Sequence, residues 1–423
     1  MILSCLPPLL RAEPALAEVV GRGAASLAVP EGARAVTLAA LVERSGRRPL
    51  VVAVPTTAEA ERLVSDLELF LGADAVDLFP AWETLPFERV SPSVEAMGWR
   101  LRTVWRLRTG VAQVVVAPVR ALVQRLGPHV DDVEPVVVGP GDRVDPVELV
   151  ERLVAEGYRR EYQVEHRGEV AVRGSIVDVY PSTADGPVRL DLWGDEVDRL
   201  TAFSVSDQRS RHDLAQVELF PCREVLATSA VRARAADLVA SRPWGRDQWE
   251  RLADGQIFDG MESWLPWLAD AEHVLFDVLE RPGGDGSDAG AQIVLVEPRR
   301  MRDRAADLLA EESDLAASLA RTWGASEDGE LPRLHLPFDR LLAATSAPLL
   351  TVTGAAEGPD VPAVAATGWD PVVGDGSLLV ERLGRLLGEG YRVVVAADGA
   401  GSAARLASAL SDQGVPLTLH RTA

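Results

Sequence analysis

The chain has 423 residues, with 43 basic and 64 acidic side chains and a formal net charge of −21. A chain of this length is expected to form about two to four domains, and its acidic balance disfavours general binding to nucleic acid. Every one of the 43 basic residues is arginine, and the absence of lysine excludes a Walker A phosphate site and a Schiff-base nucleophile.

The first residues and the two cysteines lead us to expect no signal peptide and reduced thiols. Residues 1–18 lack a basic segment and are interrupted by prolines, which is not a signal peptide, and no apolar run is long enough to span a membrane. Cys5 and Cys222 give neither metal-ligand spacing nor a disulfide framework. We therefore expect a cytoplasmic monomer with no membrane partner and no bound metal.

Strands and helices alternate in the first part of the chain. Apolar runs predict the strands, and threonine or proline marks the start of the helices. The predicted strands are Pro49–Pro55, Ala75–Phe79 and Ala112–Ala117, and the predicted helices are Ala58–Leu71, Pro92–Arg108 and Pro118–Leu126. This order predicts a mostly parallel sheet covered on both faces, of the RecA-like or Rossmann-like kind.

The segment Val29–Leu41 stands where a RecA-like fold holds its phosphate-binding loop. It contains one glycine, Gly32, and Arg34 stands in the region where an active ATPase carries its lysine. A single glycine does not open the nest of backbone N–H groups that cradles phosphate. The sequence therefore predicts a degenerate P-loop at Gly32 and Arg34, with no ATP hydrolysis.

A β-meander follows in the second part of the chain. A helix with Asp145 as its N-cap and Pro146 as its first residue leads into it. Apolar and polar residues alternate through four predicted strands: Glu169–Val172, Ser175–Tyr180, Val188–Trp193 and Arg199–Val205. A meander of this kind can bury one face and present the other, which suits a docking surface better than a catalytic cleft.

The last part of the chain again alternates strands and helices. Residues 214–225 predict a strand that returns to the first domain, followed by the start of a helix. Ala291–Glu297 predicts a buried strand, and Pro298 is predicted to open a helix through Leu309. Glycine-rich residues 283–290 predict a loop, and Gly390–Pro416 predicts a strand, a turn and a helix.

Catalytic constellations are absent from the sequence. The six histidines show no pair at metal-ligand spacing, and there is no G-x-S-x-G motif. Adjacent carboxylates such as Asp195 and Glu196 are typical of charged turns. The sequence predicts no catalytic residue.

Three motifs resemble one protein family. They are FPAWETLPFERVSPSVEAMGWRLRTVWRL at 79–107, RGSIVDVYP followed by VRLDLWGDEVD at 173–198, and QIFDGMESWLPWL at 256–268. The second resembles domain 2 of the excision-repair protein UvrB, and all three resemble the UvrB-like module of the bacterial transcription-repair coupling factors, the Mfd family. The resemblance runs from about residue 34 to 418.

The resemblance implies an α/β architecture with an inserted β-rich domain. The implied domains are 1–130 (domain 1a, degenerate RecA-like), 131–212 (domain 2), 213–344 (domain 1b, which completes the RecA-like domain) and 345–423 (domain 3). The absence of an obvious closing element at 419–423 leads us to expect a truncated part of a longer protein. In that family the full-length protein is an ATP- and magnesium-dependent DNA translocase that also binds RNA polymerase and upstream duplex DNA, with its motor in a later part of the chain.

The family binds the damage sensor UvrA through domain 2. The UvrA-contacting positions carried over by motif are Arg173, Arg189 and Trp193, and the family commonly has phenylalanine at the last of these. Two planar guanidinium groups and an aromatic ring are side chains typical of a binding hot spot. The alternative is that the arginines pair with Asp178, Asp191 or Glu169 on neighbouring strands.

Two other functions are weighed against UvrA recruitment. One is an ATP-driven helicase like UvrB, which the missing lysine and the lack of an aromatic β-hairpin between Leu78 and Val114 disfavour. The other is a non-catalytic nucleic-acid-binding module that works through arginines and stacking tryptophans, which the net charge disfavours.

Overall fold

A computed structural model of the chain describes residues 3–85, 88–269, 271–279, 290–323, 332–343, 345–368, 376–395, 397, 399–416 and 418. Its strands are β1 Ala24–Ala28, β2 Leu50–Val54, β3 Val76–Leu78, β4 Val114–Pro118, β5 Val136–Val138, β6 Arg159–Arg160, β7 Glu169–Arg173, β8 Ile176–Val179, β9 Val188–Trp193, β10 Glu196–Phe203, β11 Ser210–Asp213, β12 Val217–Leu219, β13 Gln292–Val296 and β14 Leu349–Thr353. Its α-helices are α1 Pro14–Val19, α2 Arg34–Ser45, α3 Thr57–Leu71, α4 Val94–Arg108, α5 Val119–Val123, α6 Pro146–Ala155, α7 Ser229–Ser241, α8 Arg246–Ala253, α9 Leu265–Leu268, α10 Leu275–Leu279, α11 Pro298–Trp323, α12 Phe338–Ala343, α13 Gly376–Gly388 and α14 Ala400–Ser411.

The first sheet has six parallel strands in the order β1-β14-β13-β2-β4-β3. The strands β2, β4 and β13 are buried along their whole length, because apolar side chains leave from both faces. Val51 and Val115 face one hydrophobic cluster, and Val52 and Val116 face another on the opposite side. The α/β prediction is confirmed.

Local sequence signals set most helix ends in this region. Thr56 caps α3 through its hydroxyl, which accepts from the Glu59 N–H at 3.3 Å, and Ser93 caps α4 in the same way. Asp145 accepts from two backbone N–H groups at the start of α6, and Pro146 is its first residue as predicted. The helix that starts at Pro298 is longer than predicted, since α11 continues to Trp323.

The second sheet has the order β11-β10-β9-β8-β7-β6 and contains the predicted meander. Its central strands are antiparallel, and β9 has the predicted bounds. One face packs on α6 through Val170, Val177 and Leu190, which lie in one cluster with Leu153 of the helix. This confirms the small, mainly β unit.

Three assignments made from the sequence differ in the structure. The strand β12 pairs antiparallel with β5 instead of joining the first sheet, because Val217 and Leu219 face the core of the second sheet. The strand β14, assigned by sequence to the third unit, lies between β1 and β13 with Leu350 and Val352 buried. Within the described residues, 391–395 pair with no strand and are largely exposed. The loop predicted at 283–290 lies, apart from Gly290, outside the described residues.

Candidate protein-docking surface

The second sheet has one covered face and one partly open face. Side chains project alternately from the two faces of a strand. The face opposite the α6 core therefore carries Arg173 of β7, Asp178 of β8 and Arg189 of β9. At one end this face carries a small buried cluster of Val164, Ala171 and Phe203. Towards the β7–β8 and β9–β10 turns the face is open. We call this open part the docking face; it comprises Arg173, Ile176, Asp191 and Trp193, with Asp178 and Arg189 beneath.

Strand register brings both arginines to the same carboxylate. Asp178 lies directly opposite Arg189 on β9 and directly opposite Ala171 on β7, so Arg173 is its diagonal neighbour. Asp178 forms an ion pair with Arg173 through Oδ2, and a second with Arg189, whose Nε lies 2.7 Å from Oδ1 and whose Nη2 lies 2.9 Å from Oδ2. The Asp178 side chain is completely buried. The predicted alternative pairing is therefore realised, and Asp178 is the partner of both arginines.

The two arginines differ in how firmly they are held. Arg189 also donates from Nη1 to the Gln208 carbonyl at 3.2 Å, and its guanidinium lies 4.7 Å from the Phe203 ring centroid. The hydrogen bonds that Arg189 donates to the Asp178 carboxylate raise the pKa of Arg189, since they favour its charged form. The Arg189 side chain is 13% exposed, whereas that of Arg173 is 35% exposed. The Arg189 side chain is therefore mostly buried in the sheet, whereas the Arg173 side chain is partly exposed at the surface.

Trp193 is the exposed aromatic residue of the docking face. It ends β9 on the same side of the strand as Arg189, and 84% of its surface is accessible. The turn that follows uses Gly194 at φ 67°, a conformation that glycine adopts without strain. An aromatic ring held at a tight turn and facing solvent is available to a partner protein.

Of the other two predicted carboxylate partners, Asp191 acts on Arg189 through its charge, and Glu169 has different contacts. Glu169 accepts from the backbone N–H groups of Glu165 and His166, both at 2.8 Å, and pairs with Arg159 at the far end of the sheet. These hydrogen bonds and charges lower the pKa of Glu169 although burial opposes them. Sequence reasoning gave Asp178 only as one of three partners. Its position between Val177 and Val179 places it on the open face, but Asp191 lies in the same way between Leu190 and Leu192, so only strand register distinguishes Asp178.

The segment predicted to be a degenerate P-loop is folded as a short 3₁₀ turn, Glu31–Ala33, followed directly by α2. Arg34 Nη2 lies 2.9 Å from Oε1 of Glu297, which stands at the end of β13 and also accepts from the Gly354 N–H at 2.9 Å. The Arg34 side chain is only 14% exposed. Its charge is therefore already neutralised by a carboxylate of this chain. Gly32 has no neighbouring atom that a side chain would meet.

Three further properties concern the described part of the chain. Among those residues no group of three or more His, Cys, Asp and Glu side chains is arranged to hold a metal ion. In the same residues, no helix combines the length and apolar character needed to cross a membrane. Burial of Cys222 raises the pKa of its thiol, so this cysteine is not a reactive nucleophile.

Comparison with known proteins places this surface in a family. The family model of the UvrB interaction domain matches residues 136–224, the segment that contains the whole second sheet. The transcription-repair-coupling factor of Mycobacterium tuberculosis is 39% identical over 301 residues, which cover 67% of this chain and 24% of the relative. Those of Bacillus subtilis and Escherichia coli are 29% and 30% identical, over 75% and 56% of this chain and 28% and 21% of the relatives.

The chain spans about a quarter of the length of these curated relatives. The Mycobacterium tuberculosis protein nevertheless matches two thirds of this chain, and the matched domain model contains the docking face. The chain therefore belongs to the transcription-repair coupling factors, the Mfd family, and carries their UvrB interaction domain within the UvrB-like module.

Proposed function

We propose that this chain recruits UvrA through the docking face and so links stalled RNA polymerase to nucleotide excision repair. The observation that carries the proposal is that exposed Trp193 and the Arg173–Asp178–Arg189 cluster lie on the same open face of the UvrB interaction domain. Binding hot spots combine aromatic residues and arginines in this way. Arg173 offers a planar fork to a partner carboxylate, and Trp193 offers apolar area.

The proposed role requires no nucleotide in this part of the protein. Arg34 is paired with Glu297, and the chain has no lysine to contact the β- and γ-phosphates. The residues of this loop therefore do not fit ATP and magnesium. We propose that contact with RNA polymerase and duplex DNA, and the ATP-driven motor, belong to other parts of the full-length family members, and that this part acts as a monomer without catalytic residues.

Purified UvrA and the immobilised chain provide the test. Trp193→Ala should weaken capture of UvrA by about 1–3 kcal/mol, because the lost ring supplies much of the buried apolar area. Tyr162→Ala is the matched control, since Tyr162 is an equally exposed aromatic residue (87%) of the same domain outside the docking face. Capture that is equal for wild type and Trp193→Ala would contradict the assignment of this surface.

A further inference from the structure

Asp178 has a position that the proposed binding residues alone do not explain. It is a carboxylate with 0% exposure, yet it lies on the face of the sheet that is open to a partner. A buried carboxylate is stable only when it is paired and hydrogen-bonded. Three guanidinium nitrogens of Arg173 and Arg189 provide this pairing. A neutral residue at this position would leave both arginines without their shared counter-charge.

We propose, on the basis of the function proposed above, that Asp178 is a positioning residue of the UvrA-docking face that acts through Arg173. In this arrangement Arg189 is the fixed counter-charge of Asp178, and Arg173 is the arginine presented to UvrA. The docking face therefore contains two arginines with different roles.

The count of hydrogen-bond donors supports this division. A guanidinium group carries five N–H donors. Arg189 uses all three of its nitrogens, on Asp178 and on the Gln208 carbonyl, and it is mostly covered. Asp178 accepts from only one nitrogen of Arg173, and among the described residues no other side chain or carbonyl accepts from that arginine. Arg173 therefore keeps most of its donors for a partner while Asp178 fixes its direction.

Positioning of Arg173 should matter for affinity because a long side chain loses rotamer freedom when it binds. A side chain already held in its bound direction avoids most of that loss, which corresponds to about three- to tenfold in affinity. Asp178 also reduces the repulsion between two neighbouring guanidinium charges. Both effects vanish when the carboxylate is neutralised, although the side-chain volume stays the same.

The test is a double-mutant cycle measured by calorimetric titration of UvrA into the intact chain. Asp178→Asn should weaken binding by about three- to tenfold. In an Arg173→Ala background the same substitution should change the dissociation constant by less than about twofold, because the group that Asp178 positions is already gone. A role confined to folding would instead give equal losses in both backgrounds.

Two further variants, one as a control and one as a substitute, make each outcome either support or overturn the role of Asp178. Glu169→Gln, at a second buried carboxylate of the same sheet that contacts neither Arg173 nor Arg189, is the matched control and should leave the affinity unchanged. Should Asp178→Asn not fold, the cycle is run with Asp178→Glu, which keeps the buried charge but displaces it, and the loss should again disappear in the Arg173→Ala background. Failure of wild type to bind UvrA would overturn the proposed function itself, whereas binding with additive effects overturns only the role of Asp178.

Discussion

Glu224 is the last residue of the UvrB interaction domain match, and its carboxylate is fully buried against the first domain. It accepts from Arg100 Nε at 2.7 Å, from the Trp82 indole at 3.0 Å and from the Gly127 N–H at 3.1 Å. Arg100 also lies 4.3 Å from the Phe79 ring centroid. Because the buried charges are paired and hydrogen-bonded on several sides, this contact stabilises the place where the chain leaves the second sheet.

Glu224→Gln should lower the free energy of unfolding by about 3–5 kcal/mol, since it leaves the Arg100 guanidinium buried without a counter-charge. Urea unfolding measures the change. The control is Glu250→Gln, which removes an exposed i,i+4 pair with Arg246 (2.8 Å) and should leave the midpoint unchanged within error. Equal midpoints for wild type and Glu224→Gln would contradict the predicted cost of leaving Arg100 buried without its counter-charge.

At the scale of elements, a glycine in α4 determines how the second sheet approaches the first domain. A Cβ atom at Gly98 would lie 2.6 Å from both Cβ and Oγ of Ser182, which is fully buried and donates to the Phe220 carbonyl at 2.9 Å. An ion pair between Arg167 and Glu95 (3.3 Å) crosses the same boundary. The helix tolerates glycine in its interior because only glycine lets the sheet approach this closely.

Gly98→Ala should therefore destabilise the protein by about 1–2 kcal/mol, even though alanine favours helix, because the added methyl group overpacks the contact with Ser182. Gly384→Ala is the matched control, since Gly384 is exposed within α13 and a methyl group there would meet no atom within 4 Å. At this second site the substitution should stabilise the helix by about 0.5–1 kcal/mol. Thermal unfolding followed by circular dichroism measures the change in melting temperature. A decrease for Gly98→Ala with an increase for Gly384→Ala supports the close contact at Gly98, and a change of the same sign at both sites contradicts it.

The loop before α2 gives a second prediction at this scale. A ligand that binds only the folded state raises its melting temperature by mass action. We expect no rise with millimolar MgATP, because Arg34 is occupied by Glu297 and no lysine is present. A differential scanning measurement over a series of ATP concentrations tests this. A saturable increase that Arg34→Ala abolishes would show that the loop is a working nucleotide site.

Elements with a local signal were predictable from sequence, and pairings between distant segments were not. Alternation of apolar and polar residues gave the bounds of Val188–Trp193, and capping residues gave the start of the helix at Pro146 and, to within one residue, the start of the helix at Thr57. The partner of β12 and the place of β14 depend on which buried surface each strand meets, and this information is not local. The same holds for the site, where motifs identified Arg173 and Arg189 but only strand register selected Asp178.

For the whole molecule, the net charge of −21 governs its encounter with nucleic acid. Many arginines on the described surface are already paired with carboxylates, as in the Arg199–Asp213 and Arg211–Asp207 pairs of the second sheet. Few phosphates can then be neutralised and few counterions released. The chain by itself should bind duplex DNA poorly at physiological salt.

Fluorescence anisotropy with labelled duplex DNA measures this directly. We expect a dissociation constant weaker than about 1 μM at physiological salt, with little change as salt is raised further. A titration at low ionic strength serves as the control for residual non-specific binding. Sub-micromolar affinity with a steep salt dependence would reveal a basic face and would favour the nucleic-acid-binding alternative.

The docking face as a whole can be tested with a variant that removes its binding groups without unfolding the sheet. Arg173→Ala/Trp193→Ala removes its partly exposed arginine and its exposed aromatic ring and leaves Asp178 paired with Arg189. Arg160→Ala/Tyr162→Ala is the matched control, because it removes an exposed arginine and an exposed aromatic residue from the edge strand β6 and the segment after it.

Isothermal titration of UvrA into wild type and both double variants is therefore the most direct measurement. Wild type and Arg160→Ala/Tyr162→Ala should bind with the same dissociation constant, and Arg173→Ala/Trp193→Ala should bind about 100-fold or more weakly at an unchanged melting temperature. Wild-type affinity in Arg173→Ala/Trp193→Ala, or the same loss in both double variants, would contradict UvrA recruitment through this face.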